Sequence, residues 1–79
     1  MDKSCFIKVR SIGTQPGNPV SDLCVNTRNI SDFGVAHEEM IKIGASAFID
    51  FITGLRFYTV ETMDELANAI REAEKLAIA

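Results

Sequence analysis

Cys24 and His37 are the residues of this chain best suited to covalent chemistry. A thiol can act as a nucleophile, and an imidazole can take its proton. Nothing in the sequence places the two in contact, and His37 is the one histidine present. A lone histidine beside an apolar stretch reads as structural rather than as ligand or base. No Cys/His spacing for zinc and no calcium loop occur. No paired acid and base carboxylates stand out. The expectation is a non-enzymatic chain with no catalytic residue, no metal and no cofactor. A small enzyme subunit using Cys24 and His37 is the weaker alternative.

A second set of residues could bind. Phe6, Lys8 and Arg10 alternate along one stretch, and Arg56 and Tyr58 along another. Aromatic and basic side chains on one sheet face can stack bases and hold phosphates, or grip a protein. The even-numbered side chains reach a common face only if Leu55 and Phe57 point inward. The set lacks the glycine-aromatic signature of an RNA-recognition motif, and Asp22 dilutes its charge. A net charge of −3 also argues against coating nucleic acid through global charge.

A third set is acidic: Glu38, Glu39, Asp50, Glu61, Asp64, Glu65, Glu72 and Glu74. Such a surface could occupy the basic groove of a nucleic-acid-binding complex. The loop Gly13-Thr14-Gln15-Pro16-Gly17-Asn18-Pro19 offers Gln15, Pro16 and Asn18 as a finger toward a partner protein. It cannot cradle phosphate, because no lysine follows it and a strand comes next.

These candidates need elements to position them. Residues 5 to 27 sort by parity, with Cys5, Ile7, Val9, Leu23, Val25 and Thr27 on odd positions. The even positions hold Phe6, Lys8, Arg10, Ile12, Val20, Asp22, Cys24 and Asn26. Side chains alternate faces along a strand, so this predicts a hairpin with an apolar odd face. Pairing Ile12 with Val20 sets the register. It places Arg10 opposite Asp22 as an ion pair and Cys24 opposite Lys8. Cys5 and Cys24 then fall on opposite faces and out of register, unsuited to a disulfide. Two free thiols suit a reducing cytoplasm. No signal peptide is visible, and no apolar run approaches the roughly 20 residues of a membrane span.

Asn29 to Asp32 reads as a connector. Phe33, Ala36, Met40, Ile43, Gly44, Ala47, Phe48, Phe51 and Ile52 fall at helical spacing, which predicts an amphipathic helix as far as Thr53, stopped by Gly54. Residues 48–52 are also rich in β-formers, but alternation fails at Phe48-Ile49 and Phe51-Ile52. The apolar arc is wide, so Phe48, Ile49 and Ile52 suggest a homodimer interface. Residues 55–60 read as a strand. Thr62-Met63-Asp64-Glu65 is a capping box, opening a helix with Met63, Leu66, Ile70, Ala73 and Ala77 on one face.

The expected fold is a single small two-layer α+β domain over residues 1–79, in the order β-β-α-β-α. The N-terminal hairpin joins a roughly three-stranded antiparallel or mixed sheet, with two helices packed on one face. A chain of 79 residues buries only a modest core, and 47% hydrophobic content leaves apolar surface to spare. The expected function is that of a small interaction protein binding another protein. Direct nucleic-acid binding is the second reading. In size and charge the chain is similar to small phage-encoded inhibitors such as anti-CRISPR proteins, and to small regulatory subunits; no motif assigns it to a family.

Overall fold

A computed structural model describes residues 6–14 and 16–78, with side chains as far as residue 75. Cys5 and Gln15 lie outside the described residues, as does the side chain of Ala77. The elements run β1 (Phe6–Ile12), β2 (Val20–Asn26), a single 3-10 turn (Thr27–Asn29), β3 (Ile30–Val35), α1 (Glu38–Lys42), β4 (Ala47–Phe51), β5 (Arg56–Thr59) and α2 (Met63–Ile78). The five strands form one antiparallel sheet in the order β2-β1-β5-β4-β3.

The β1–β2 hairpin has the register read from parity. It runs unbroken from Phe6 opposite Asn26 to Ile12 opposite Val20. The α2 capping box also forms. Glu65 N–H donates to Thr62 Oγ1 at 3.1 Å, and Thr62 N–H donates to Glu65 Oε1 at 3.0 Å. Two backbone donors that a helix start leaves without partners are thereby satisfied.

The expected long helix is absent, and so is the three-stranded sheet. Residues 33–53 divide into the end of β3, the five-residue α1, and β4. Three features explain the split. Gly44 adopts φ +108°, a left-handed conformation that ends α1. Ala45 N–H then donates to Met40 O, closing the helix end. Beyond it, Ala47, Ile49 and Phe51 alternate toward the core while Phe48 and Asp50 face the other way. Ile49 is completely buried in β4 and cannot serve as a dimer contact. Phe48 is half-buried, and Ile52 lies exposed in the turn after β4. The proposed interface of Phe48, Ile49 and Ile52 therefore does not exist as one surface.

The sheet must curl. On a flat sheet β2 and β3 would lie four spacings apart, roughly 19 Å. The three-residue turn between them reaches at most about 14 Å even fully extended. The two edges are thus drawn toward each other around α2. Ile7, Val9, Val25, Ala47, Ile49 and Leu66 form the buried cluster on this concave face, with Leu23, Phe33, Ile70 and Ala73 packed against it. A second, smaller cluster lies on the convex face, where Ala36, Met40 and Ala45 cover Ile12, with Ile43 and Tyr58 beside them. The two helices therefore pack on opposite faces rather than one. No helix among the described residues is long and apolar enough to cross a membrane.

Candidate partner-binding face

Strand alternation decides which side chains meet on the convex face. Ile12 stands opposite Tyr58, Tyr58 opposite Phe48, and Phe48 opposite Gly34. With Val20 opposite Ile12, one row crosses the whole sheet. Tyr58 and Arg56 therefore point to the same face as Phe6, Lys8 and Arg10. They do not form one patch. The α1 cluster covers the centre of the row. Val60 N–H donates to Arg10 O at 2.9 Å, so Arg10 and Arg56 lie four residues apart along the sheet, about 13 Å.

The first patch belongs to the β1–β2 hairpin. Phe6, Lys8 and Arg10 are exposed beside Val20, Asp22 and Cys24. Phe6 and Val20 are each 53% accessible, so apolar area is open to solvent here. Lys8 Nζ lies 3.5 Å from Asp22. The expected Arg10–Asp22 ion pair does not form, although the two residues stand opposite one another. Arg10 turns instead to Glu61. Its backbone N–H and its Nε each donate to that carboxylate, both at 2.8 Å. Burial alone would raise the Glu61 pKa; the bonds from the Arg10 backbone and side chain outweigh it and hold the carboxyl below the usual glutamate range.

The second patch is built on β4 and β5. Arg56 Nε and Nη2 donate to the two carboxylate oxygens of Asp50 at 2.6 and 2.9 Å. The guanidinium carbon lies 4.1 Å from the centroid of the Phe48 ring. That ring in turn lies over Gly34, where a Cβ would come within 2.9 Å of it. Hydrogen bonds from Arg56 hold the Asp50 carboxyl below its usual range. A cavity of about 240 Å³ adjoins this patch, lined by Ile12, Gly13, Thr14, Arg56, Phe57 and Tyr58.

His37 and Cys24 are not brought together. His37 Nε2 and Tyr58 Oη are 3.1 Å apart, with the rings edge to face. Cys24 is an exposed free cysteine on β2, opposite Lys8. By strand spacing it is about 16 Å from Tyr58. Among the described residues no group of His, Cys, Asp or Glu could hold a metal ion.

The acidic set is dispersed. Glu38 and Glu39 open α1, while Asp64 and Glu65 open α2, where Glu65 serves the capping box. Asp50 and Glu61 are committed to Arg56 and Arg10. Glu72 lies 3.7 Å from Lys75, and Glu74 lines a second cavity with Asp32 and Phe33. In the hairpin loop, Pro16 is exposed and Asn18 adopts φ 46°.

Sequence reasoning missed Glu61 as the partner of Arg10 and Asp50 as the partner of Arg56. The second pair carried a signal: both flank Gly54, where a hairpin turn places them opposite each other. Comparison with protein-family models, with curated proteins and with solved structures gave no match.

Proposed function

We propose that this chain is a non-enzymatic interaction protein that acts by binding another protein. Its binding surface is the exposed convex face of the β1–β2 hairpin, with Phe6, Lys8, Arg10, Val20 and Asp22 as contact residues. The observation that carries this reading is the charge balance of the face. Lys8 and Arg10 are each within 3.5 Å of a carboxylate of this same chain. Nucleic-acid affinity comes largely from cations that displace counterions from phosphates. A cation already held by a carboxylate gives up that partner before it can serve a phosphate. A protein surface, by contrast, gains from the half-exposed Phe6 and Val20 at the two ends of the face, with Lys8, Arg10 and Asp22 between them.

Binding to the native cell extract tests this reading by difference. Phe6→Ser with Lys8→Ala leaves the odd, core-facing positions intact and should abolish capture of a partner that the wild type retains. Retention by the double variant would place the surface elsewhere. Capture that disappears on nuclease treatment, or tight binding to a single-stranded oligonucleotide, would favour nucleic acid instead.

A further inference from the structure

The outer edge of β2 is a second candidate surface, which shares Lys8 and Asp22 with the convex face. Gly13 N–H donates to Pro19 O at 2.8 Å, which marks this pair as a hydrogen-bonded one. Such pairs alternate along an antiparallel ladder. Ser21, Leu23 and Val25 therefore bond inward to β1, while the N–H and C=O groups of Val20, Asp22, Cys24 and Asn26 point away from it. The same alternation aims Arg10 at the β5 side, where Val60 and Glu61 take its backbone groups.

The two edges of the sheet differ. On β3 the register shifts between Ile30 and Asp32, and Ser31 Oγ donates to the Asp50 carbonyl across the shift. Gly34, paired with Phe48, adds a position in β3 without a side chain. Bulges and glycines of this kind blunt an edge against further pairing. β2 holds neither proline nor glycine, and its seven-residue register is unbroken.

We propose that two copies of this chain join through their β2 edges, antiparallel about a two-fold axis at Leu23. Strand length and charge select that register: Leu23 is the midpoint of β2, so an axis there pairs all seven of its residues. An axis at Asp22 would set the two Asp22 carboxylates against each other. An axis at Leu23 sets Asp22 opposite the partner's Cys24, and Leu23 opposite the partner's Leu23 on the concave side. Cys24 stands opposite Lys8 within its own hairpin. The convex face then carries the row Lys8, Cys24 and the partner's Asp22. Lys8 is exposed and already bonded to its own Asp22; across the small Cys24 side chain its ammonium reaches the second carboxylate. The two-fold axis repeats the row, giving an alternating set of four charges and an isologous contact.

Sedimentation velocity of the full chain under reducing conditions tests this. The wild type should pass from monomer to dimer as concentration rises, and a monomer up to about 500 µM would overturn the proposal. Cys24→Pro removes an outward N–H without touching a bond to β1, and should weaken association by about tenfold or more. Asp22→Lys should do the same on an exposed side chain, so a folding defect of the proline variant leaves the test intact. The swap Lys8→Asp with Asp22→Lys should restore association. Association indifferent to Asp22→Lys, or a swap that fails to restore it, would overturn the Leu23-centred pairing.

Discussion

Glu61 completes the sheet where β5 ends. Its carboxylate accepts the backbone N–H of Arg10 at 2.8 Å and the Nε of the same residue at 2.8 Å. A side chain thus stands in for the strand that leaves toward α2, and it fixes the hairpin to the rest of the sheet.

Glu61→Ala should accordingly destabilise the fold by about 1–3 kcal/mol, because it strands the Arg10 N–H at a half-covered strand edge. Arg10→Ala should cost less, since the backbone bond to Glu61 survives it. Chemical denaturation of the two variants measures the difference, and equal losses would mean that the backbone bond contributes little.

The same carboxylate makes stability depend on pH. Glu61 and Asp50 are both held below their usual values, Glu61 against its burial by bonds from Arg10, and Asp50 by bonds from Arg56. A carboxylate lowered by folding stabilises the native state above its unfolded value and loses that contribution as pH falls through its folded value. Stability should therefore decline below about pH 4, and Glu61→Gln should flatten part of that decline. A denaturation midpoint series between neutral pH and pH 3 checks the slope. Unchanged slopes in Glu61→Gln would remove Glu61 from the account.

Gly34 makes room for a ring rather than for a turn. Gly34→Ala would press a Cβ to 2.9 Å from Phe48, which also carries the Arg56 guanidinium. The ring can swing aside, so the expected cost is about 1–2 kcal/mol together with loss of the Arg56 stack. Combined with Phe48→Leu, the alanine should cost clearly less than it does alone. Additive losses in that double-mutant cycle would show that the ring is not the obstacle.

The capping box offers a calibrated control. Thr62→Ala removes the bond to Glu65 N–H and should cost about 0.5–2 kcal/mol, with fraying of the first turn of α2 visible as faster amide exchange there. An unchanged exchange rate would mean that Leu66 packing alone sets the helix start.

The parts of this fold legible in the sequence are those where one local rule acts alone. The β1–β2 register follows from alternation around a proline-glycine loop, and the α2 start follows from Thr62 and Glu65 at capping spacing. The middle of the chain was misleading for physical reasons. β4 is apolar on both faces, because Phe48 packs beneath Arg56 and over Gly34 while Ala47 and Ile49 enter the core. That double use erases the alternation and mimics a helical arc. β3 opens with Ile30, Ser31 and Asp32, which read as connector residues, and it is a strand through its pairing with β4. Gly44 in the middle of the supposed helix was the overlooked sign. At the candidate face, the side of Lys8 and Arg10 was readable. Their carboxylate partners were not, since Glu61 reaches Arg10 only after β5 is placed beside β1.

The proposed binding surface for a partner protein is the charge-balanced, partly apolar hairpin face. The most direct measurement is quantitative capture from the native cell extract by three matched, folded chains: wild type, Phe6→Ser with Lys8→Ala, and Glu38→Lys with Glu39→Lys. A protein retained by the wild type and by the α1 charge variant, resistant to nuclease, and lost from the hairpin-face variant is the predicted result. Retention by the hairpin-face variant, with loss from the α1 variant, would contradict it.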